Sequence, residues 1–240
     1  SNWNFGDGNI SNSTNPLHLY LAKGSYNVTL TITSDSGCEN QSSQIAKVYA
    51  QPNANFIVNN ICDGATAHFQ NMSTIDEGTI TALWKFGDGD SSATYHPDHL
   101  YDSMGIYQVV LIASSGAGCN DTVSQFVQVY PLPVAGFNVQ NSCDGFPVQF
   151  TNTSNISFGI ITSYSWDLGD GTNSFQVNPS KQYLNPGIYN VTLGVVSDHG
   201  CTDSYTGQAV TDVGPIANFS AEDVCYGQTV QFINLSSIAN

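Results

Sequence analysis

Three aspartates stand in turns bracketed by glycines, and their carboxylates could bind a divalent cation. Asp7, Asp88 and Asp170 each lie between two glycines. Calcium prefers several clustered oxygen ligands, and a single turn aspartate supplies too few. Asp90 and Asp102 could add ligands beside Asp88. Their counterparts beside the other two turns are Asn9, Thr172, Leu21 and Leu184. The pattern favours a structural turn, with Asp88, Asp90 and Asp102 kept as calcium candidates and no other cofactor predicted.

Two histidines, His96 and His99, have a spacing that could pair imidazoles on a metal. The other copies of this segment carry Asn15 and Asn178 at the first position, and Lys181 replaces the second histidine in one copy. A metal site would require the ligand to be kept. We therefore interpret this segment as a polar contact that stabilises the fold.

The chain contains no recognisable catalytic constellation. Nucleophilic catalysis needs a base and an orienting group beside the nucleophile. The sequence has no Gly-x-Ser-x-Gly motif, and neither His68 nor His199 recurs in the other copies. We predict no catalytic residue and no enzyme activity.

The elements that position these residues come from an internal repeat. Trp3, Trp84 and Trp166 each open a Trp-x-Phe/Leu-Gly-Asp-Gly segment, with steps of 84 − 3 = 81 and 166 − 84 = 82 residues. In a strand, residues two apart point to the same face, so the tryptophan and the next apolar residue face one core. A tandem repeat of this period predicts copied domains, each organised around one indole.

A second repeated segment follows each tryptophan by 23 residues. Tyr26, Tyr107 and Tyr189 each lie in a Gly-x-Tyr-x-Val-x-Leu run. This alternation is typical of a half-buried strand, and we predict that these tyrosines belong to the structural core. A tyrosine at this place can bond back to the backbone at a sandwich corner.

The spacing of strands and turns predicts an all-β fold of tandem immunoglobulin-like sandwiches arranged head to tail. Between residues 50 and 130 we expect strands near 54–58, 66–72, 80–86, 91–94, 106–113 and 122–129. Short strands separated by turn signals every 8–12 residues indicate a Greek-key sandwich.

Prolines mark the predicted domain boundaries. We expect a partial repeat over 1–49, complete repeats over 50–130 and 131–213, and a partial repeat over 214–240. The first segment lacks the first two strands of a unit, and the last segment supplies only those two. This arrangement fits either a piece of a longer chain or strand complementation between subunits, in which one tail completes the next front.

Six cysteines form two series that follow the same period: Cys38, Cys119 and Cys201, and Cys62, Cys143 and Cys225. They do not form a C-x-x-C zinc pattern, and repeated cysteines suit an oxidising compartment. The turns holding Cys62 and Cys119 should lie about 30 Å apart, too far for a disulfide.

Pairing Cys38 with Cys62 is still less favourable, because these residues would lie at the far ends of two stacked units. Head-to-tail stacking instead brings Cys62 near Cys201, and the other four cysteines would pair with repeats outside this stretch. Intradomain bonds remain the alternative.

The charge of the chain excludes several partners. Nineteen Asp and Glu residues against four Lys and no Arg give a net charge of −15. Nucleic acids and anionic membranes both require basic groups. Since no run of 18 apolar residues exists, no membrane insertion is expected. The composition fits a secreted protein of the extracellular space or cell surface.

The combined motif resembles the polycystic-kidney-disease (PKD) domain family. The matching positions are Trp84, Phe86, Gly87, Asp88, Gly89, His99, Tyr101, Gly105, Tyr107, Val109 and Leu111. Two departures are Leu168, which replaces the second aromatic residue, and Lys181. The cysteine pair and the surface rich in Asn, Ser and Thr resemble long PKD arrays in secreted surface proteins of Bacteroidota.

The resemblance implies an extracellular β-sandwich that serves as a spacer, adhesion or interaction module. We predict a non-catalytic structural or adhesive segment of an extended surface filament or adhesin. The alternative is a carbohydrate- or protein-binding accessory module of a secreted hydrolase. Expected partners are neighbouring repeats, other copies of the chain, and glycans or proteins of a cell surface. An accessory module should expose an aromatic platform, but Tyr95 and Phe158 do not recur between copies.

Overall fold

The computed structural model describes residues 1–238, and within them the backbone forms strands and loops without a helix. The predicted all-β class is therefore confirmed. The last two residues of the predicted 214–240 segment lie outside the described residues. The chain divides into two compact units. The first comprises Ser1–Asn60, Thr66–Tyr101 and Ile106–Gln128, and the second Ile61–Ala65, Asp102–Gly105 and Val129 onward.

The first unit begins with one antiparallel sheet built around Trp3. Its strands are β1 (Asn2–Asn4), β2 (Ile10–Ser11), β3 (Gly24–Thr33) and β4 (Glu39–Val48). They lie in the order β2-β1-β3-β4. Trp3 is opposite Leu30 in this register, so both side chains project from the same face of the sheet.

Nine strands follow between residues 56 and 130. They are β5 (Phe56–Ile57), β6 (Ile61–Cys62), β7 (Thr66–His68), β8 (Gln70–Asn71), β9 (Ile80–Lys85), β10 (Ser91–Ser92), β11 (Asp98–Leu100), β12 (Gly105–Ser115) and β13 (Asn120–Tyr130). One sheet contains β10-β9-β12-β13, while β5 pairs with β8 and β7 with β11. The sequence predicts one strand over 66–72, but the structure divides it into β7 and β8. Strands β6 and β11 are not predicted because two or three residues show no clear alternation.

The core of the first unit forms around Trp84. Ala82, Trp84 and Phe86 point inward from β9 and the turn that follows, and all three are buried. Phe56 and Phe69 approach from β5 and from the link between β7 and β8. Their ring centroids lie 5.1 and 5.5 Å from the indole. Such tilted and edge-on contacts are the favoured geometries for aromatic pairs.

The second unit repeats this arrangement around Trp166. Its further strands are β14 (Phe137–Gln140), β15 (Ser142–Cys143), β16 (Pro147–Asn152), β17 (Ile161–Asp167), β18 (Asn173–Ser174), β19 (Ser180–Gln182), β20 (Gly187–Ser197), β21 (Thr202–Asp212), β22 (Phe219–Ala221) and β23 (Phe232–Asn234). The sheets have the orders β14-β16-β19 and β15-β21-β20-β17-β18, and β22 pairs with β23. Phe137 and Phe150 lie 5.0 and 5.6 Å from the indole of Trp166.

A glycine turn after each tryptophan strand packs directly on the neighbouring strand. Gly87 has φ +92°, and a Cβ atom there would lie 2.6 Å from the carbonyl oxygen of Gln108. Gly89 has φ +110° but no atom within 4 Å of the same position. Both positions have the left-handed backbone conformation that glycine tolerates. Of these two, only Gly87 also requires the absence of a side chain, because a Cβ atom there would clash with the neighbouring strand.

We therefore expect Gly87→Ala to destabilise the protein more than Gly89→Ala does. Both substitutions carry the left-handed backbone cost, while the first adds a steric clash of about 1–3 kcal/mol. Urea unfolding followed by circular dichroism measures the difference. Equal unfolding midpoints for the two variants would show that the turn does not pack on Gln108.

Candidate functional site

The turn aspartates each bind a cationic or imidazole partner from the same later position of their repeat. His18 Nε2 lies 2.7 Å from Asp7 Oδ2, and His99 Nε2 lies 2.6 Å from Asp88 Oδ2. In the third copy Lys181 Nζ lies 2.7 Å from Asp170 Oδ2. The contact with the turn aspartate is present in all three copies, although the partner residue is histidine in two copies and lysine in the third. The chemistry required here is a nitrogen donor for the carboxylate, which either His or Lys supplies.

The imidazole partner belongs to a ladder of aromatic rings. Phe86 stacks on His99 with ring centroids 4.0 Å apart, and Tyr101 meets the imidazole edge-on at 4.6 Å. Tyr101 in turn stacks on Tyr107 at 4.1 Å and donates its hydroxyl hydrogen to the carbonyl oxygen of Phe86. Tyr101 is buried, whereas Tyr107 is half-buried. This ladder fixes the turn against the core.

The third repeat tolerates both departures from the motif. The Tyr183 hydroxyl donates to the carbonyl oxygen of Leu168 at 2.7 Å, as Tyr101 does to that of Phe86. Lys181 lies with its Nζ 5.8 Å from the Tyr183 ring centroid. A lysine can therefore replace the histidine because it reaches the same carboxylate while contacting the same tyrosine.

These contacts favour the ionised carboxylates. The hydrogen bond with His18 lowers the pKa of Asp7 to about 2. Burial opposes ionisation of Asp88, but the hydrogen bonds from His99 and the Asp90 amide outweigh it and lower its pKa. Burial also opposes ionisation of Asp170, and there bonds from Lys181 and Thr172 lower the pKa. Each aspartate acts as a charged cap of its turn.

The structure places two of the three calcium candidates together. Within the described residues, Asp88, Asp90 and His99 form a group whose ligand atoms lie within 4.8 Å of one another. Asp102 does not belong to this group. An imidazole nitrogen is a poor calcium ligand, and the Asp88 oxygens already accept bonds from His99 and the Asp90 amide. The geometry is that of a hydrogen-bonded turn, and calcium binding here stays a prediction.

The two histidines of His96-x-x-His99 bond different partners. His96 Nδ1 accepts a hydrogen bond from the backbone N–H of Asn71 at 3.1 Å, while His99 contacts Asp88. The remaining two histidines contact single aspartates, His68 with Asp98 at 2.6 Å and His199 with Asp198 at 2.8 Å. In each case the histidine makes a structural contact.

The predicted core residues occupy two depths. Trp84 and Trp166 are buried, and their indole N–H groups donate to the carbonyl oxygens of Thr94 and Gln176. Tyr26 and Tyr189 are half-buried, and their hydroxyls bond the carbonyl oxygens four residues earlier at 2.8 and 2.7 Å. Each of these tyrosines therefore forms a tyrosine corner at the edge of the core and not at its centre. The fully buried tyrosines, Tyr101 and Tyr183, come from the His/Lys-x-Tyr segment and are not among the predicted core residues.

A disulfide joins Cys62 to Cys201 inside the second compact unit. Their Cα atoms lie 5.6 Å apart although 139 residues separate them in sequence. Cys62 lies in β6, which pairs in parallel with the end of β13 at Val129 and Tyr130. The Tyr130 ring stacks on His199 at 3.7 Å, beside the bridge. The bond therefore joins residues that belong to successive repeats of the sequence.

The other four cysteines are not disulfide-bonded within the described chain. Cys38 and Cys225 are exposed, and Cys119 and Cys143 are half-buried. Each stands at the repeat position of one partner of the Cys62–Cys201 bond. Within the described residues, the one disulfide joins the early cysteine of one repeat to the late cysteine of the following repeat.

Fold and recurring contacts define immunoglobulin-like β-sandwich modules that share a buried tryptophan and a capped aspartate turn. The sequence model of the PKD domain matches residues 1–48, 49–130 and 128–213. The chain belongs to the PKD domain family, and such domains are non-catalytic modules. The domain boundaries predicted from the prolines stay a prediction.

Similar proteins include proteases. The chain is 41% identical over 137 residues to pre-pro-metalloprotease PrtV of Vibrio cholerae, an alignment covering 55% of this chain and 15% of the protease. It is 42% identical over 50 residues to collagenase ColA of Bacillus cereus, covering 21% and 5%. The crystal structure of the PKD1 domain from PrtV is 38% identical, with a TM-score of 0.32, and covers 34% of this chain and 99% of that domain. The chain therefore spans only a small part of the length of the two proteases.

Over residues 1–238, no helix has the length and apolar character needed to cross a bilayer.

The pKa of Asp88 predicts acid sensitivity of the turn. Because the folded pKa lies below the ordinary value of 3.8, the carboxylate stabilises the fold above that pH, and this contribution disappears as pH falls through the folded value. Asp88→Asn should cost a few tenths to about 1 kcal/mol at neutral pH and reduce the loss of stability below about pH 4. Thermal unfolding between pH 2 and 7 measures both effects.

Asp102→Asn, at an exposed position outside the turn, is the matched control and should leave the acid profile unchanged. An unaltered profile for Asp88→Asn as well would contradict the capping role of Asp88.

Proposed function

We propose that this chain is a cross-linked spacer array that serves as a non-catalytic accessory part of a secreted protein. The observation that carries the proposal is the Cys62–Cys201 bond, which joins residues of successive repeats. A bond of this kind restricts the linker between repeats and suits a connector that must keep its length. Disulfides of this type persist in oxidising compartments, which supports an extracellular location.

The relatives support the accessory role. PrtV is a metalloprotease and ColA a collagenase, and both match this chain over short parts of their length. The chain thus resembles the module and not the whole enzyme. We infer that the host protein of this array is a secreted hydrolase in which the repeats hold the catalytic domain and its substrate-binding parts apart.

The side chains that could have served in catalysis or metal binding make structural contacts, which supports a non-catalytic role. The turn aspartates are engaged by His18, His99 and Lys181. The indoles of Trp84 and Trp166 are closed inside their cores. These groups stabilise the modules. The properties of the chain that remain available for a function are its shape, its length and its surface.

Small-angle X-ray scattering tests whether the disulfide restricts the motion of the repeats, as the spacer role requires. The oxidised chain should give a narrower distribution of interatomic distances by small-angle X-ray scattering than the Cys62→Ser/Cys201→Ser variant. Closing a loop of 139 residues should also stabilise the fold by up to about 5 kcal/mol, seen as a higher unfolding midpoint. The control is Cys38→Ser, which removes an exposed thiol and should change neither quantity. Equal flexibility and equal stability of the two proteins would contradict the proposal.

A binding assay separates a spacer from a binding module. The purified chain is mixed with collagen fibres or chitin and centrifuged. A spacer stays in the supernatant, whereas retention on either polymer would contradict the spacer and favour a substrate-binding module.

The second candidate function is a structural segment of a surface filament or adhesin. The observation that favours it is the same cross-link, since bonds between successive repeats would stiffen a long array. Partners would then be other copies of the chain together with glycans or proteins of a cell surface. Immunogold electron microscopy with an antibody against the chain tests it, and labelling confined to the culture medium would exclude this second candidate.

A further inference from the structure

A groove lies on the outer face of the main sheet of the third repeat, on the side away from the core. In β17, Ser165 and Asp167 flank Trp166, so their side chains project from the face opposite to the buried indole. Ser165 pairs with Gly194 of β20, and Asp167 pairs with Thr192. All of these residues line the groove, which has a volume of about 290 Å³.

Small residues give the groove its depth. A Cβ atom on Gly194 would lie 2.8 Å from Oγ of Ser165. The second repeat carries Ile112 and Leu83 at these two positions, and they pair in the same register. Leu83 is 41% exposed, although the second repeat has a repeat on each side in the sequence. The exposure of this face is therefore independent of where the chain begins and ends.

One side of the groove is an exposed phenyl ring. Phe175 directly follows the edge strand β18 and is 79% exposed. The second repeat has Ala93 at the equivalent position. The face of an aromatic ring is electron-rich, so it attracts cationic groups as well as apolar ones. The ring thus adds a surface suited to a cation with an aliphatic stem.

A single carboxylate supplies the charge of the groove. Among the described residues that line it, only Asp167 is charged. Its Oδ1 accepts a hydrogen bond from the Gly169 amide at 3.0 Å, as Asn4 Oδ1 does from the Gly6 amide at 2.9 Å. The second repeat carries Lys85 at this position. Since asparagine and lysine replace Asp167 in the other copies, the turn itself does not require a negative charge.

A carboxylate beside an aromatic ring selects a cation. The net charge of −15 attracts basic groups to the chain and repels acidic ones. An ammonium group fits better than a guanidinium group, because the Gly169 amide already occupies one oxygen of the carboxylate and prevents bidentate pairing. The aliphatic stem of a lysine can lie along Phe175 and over Gly194. Asn173 and Thr192 offer polar groups to peptide amides beside the stem.

We propose that this groove binds a lysine side chain of an extended polypeptide partner. The ammonium group pairs with Oδ2 of Asp167, and the stem packs on Phe175 above Gly194. One exposed ion pair and a short apolar stem give a dissociation constant on the order of 1 mM, so the partner is held transiently. This binding goes beyond the spacer role and does not depend on it.

An NMR titration of the full ¹⁵N-labelled chain tests the site, with the peptide acetyl-Gly-Lys-Gly-amide as the probe. The backbone amide signals of Ser165, Asp167, Thr192 and Gly194 should shift, and added NaCl should weaken the binding. The same peptide with uncharged norleucine in place of lysine should bind about three- to fivefold more weakly. Unchanged signals, or equal shifts at acidic residues throughout the chain, would overturn the proposal.

Asp167→Asn isolates the contribution of the charge. Asparagine keeps the acceptor for the Gly169 amide, as Asn4 does in the first repeat, so the turn should remain intact. The lysine peptide should bind about three- to fivefold more weakly. The matched control is Asp35→Asn, which removes an exposed carboxylate of another repeat and should bind the peptide normally. Equal affinities of the Asp167→Asn variant and the unchanged chain would show that Asp167 does not bind the ammonium group.

Ser165→Leu/Gly194→Ile isolates the contribution of the shape. This double variant introduces the Leu83–Ile112 pair of the second repeat, which has the same register, and should abolish the peptide-induced shifts. Phe175→Ala alters only an exposed ring and should weaken the binding about two- to fivefold with the fold unchanged. A Phe175→Ala variant that binds the peptide like the unchanged chain would contradict packing of the lysine stem on the ring.

Two further probes identify the source of the ligand. Butylammonium carries the same charge and stem without peptide groups, and it should bind about two- to tenfold more weakly than the lysine peptide. Equal binding of butylammonium would overturn the assignment to a polypeptide. The neutral sugar N,N′-diacetylchitobiose should leave the groove signals unchanged. Shifts of these signals with the sugar and not with the lysine peptide would assign the groove to a glycan and overturn the proposal.

Discussion

Burial of one indole between two phenyl rings is the interaction on which each complete repeat depends. Trp84 and Trp166 each contact two phenylalanines from early strands and donate their N–H to a carbonyl ten residues later. The indole thus joins the early strands to the later sheet.

The second constraint is the capped turn beside the indole. Its aspartate keeps a nitrogen donor in all three copies although the donor changes from His to Lys. The aromatic ladder below it is also adaptable, because the tyrosine hydroxyl bonds a backbone carbonyl that Phe86 or Leu168 supplies equally. Backbone contacts tolerate side-chain replacement, which explains how the motif can vary without loss of the fold.

The sequence predicts most of the fold because its strongest signals are periodic. The indoles and the alternating strand around Tyr107 follow from repeat spacing. The proximity of Cys62 to Cys201 follows from the expected head-to-tail stacking of the repeats, with intradomain bonds as the alternative. Strand β6 and strand β11 could not be predicted, since such short strands are set by their pairing partners. The burial of Tyr101 was also missed. The tyrosine two residues after His99 is visible in the motif, but the spacing alone does not show that its hydroxyl bonds back to the carbonyl oxygen of Phe86.

The account depends on closure of the indole cores, and hydrogen exchange of the indole N–H groups measures this most directly. The Trp84 and Trp166 indole N–H signals should exchange slowly, because each group is buried and donates a hydrogen bond to a backbone carbonyl oxygen. If both signals exchange as fast as an unprotected indole, the tryptophan core does not organise the repeats.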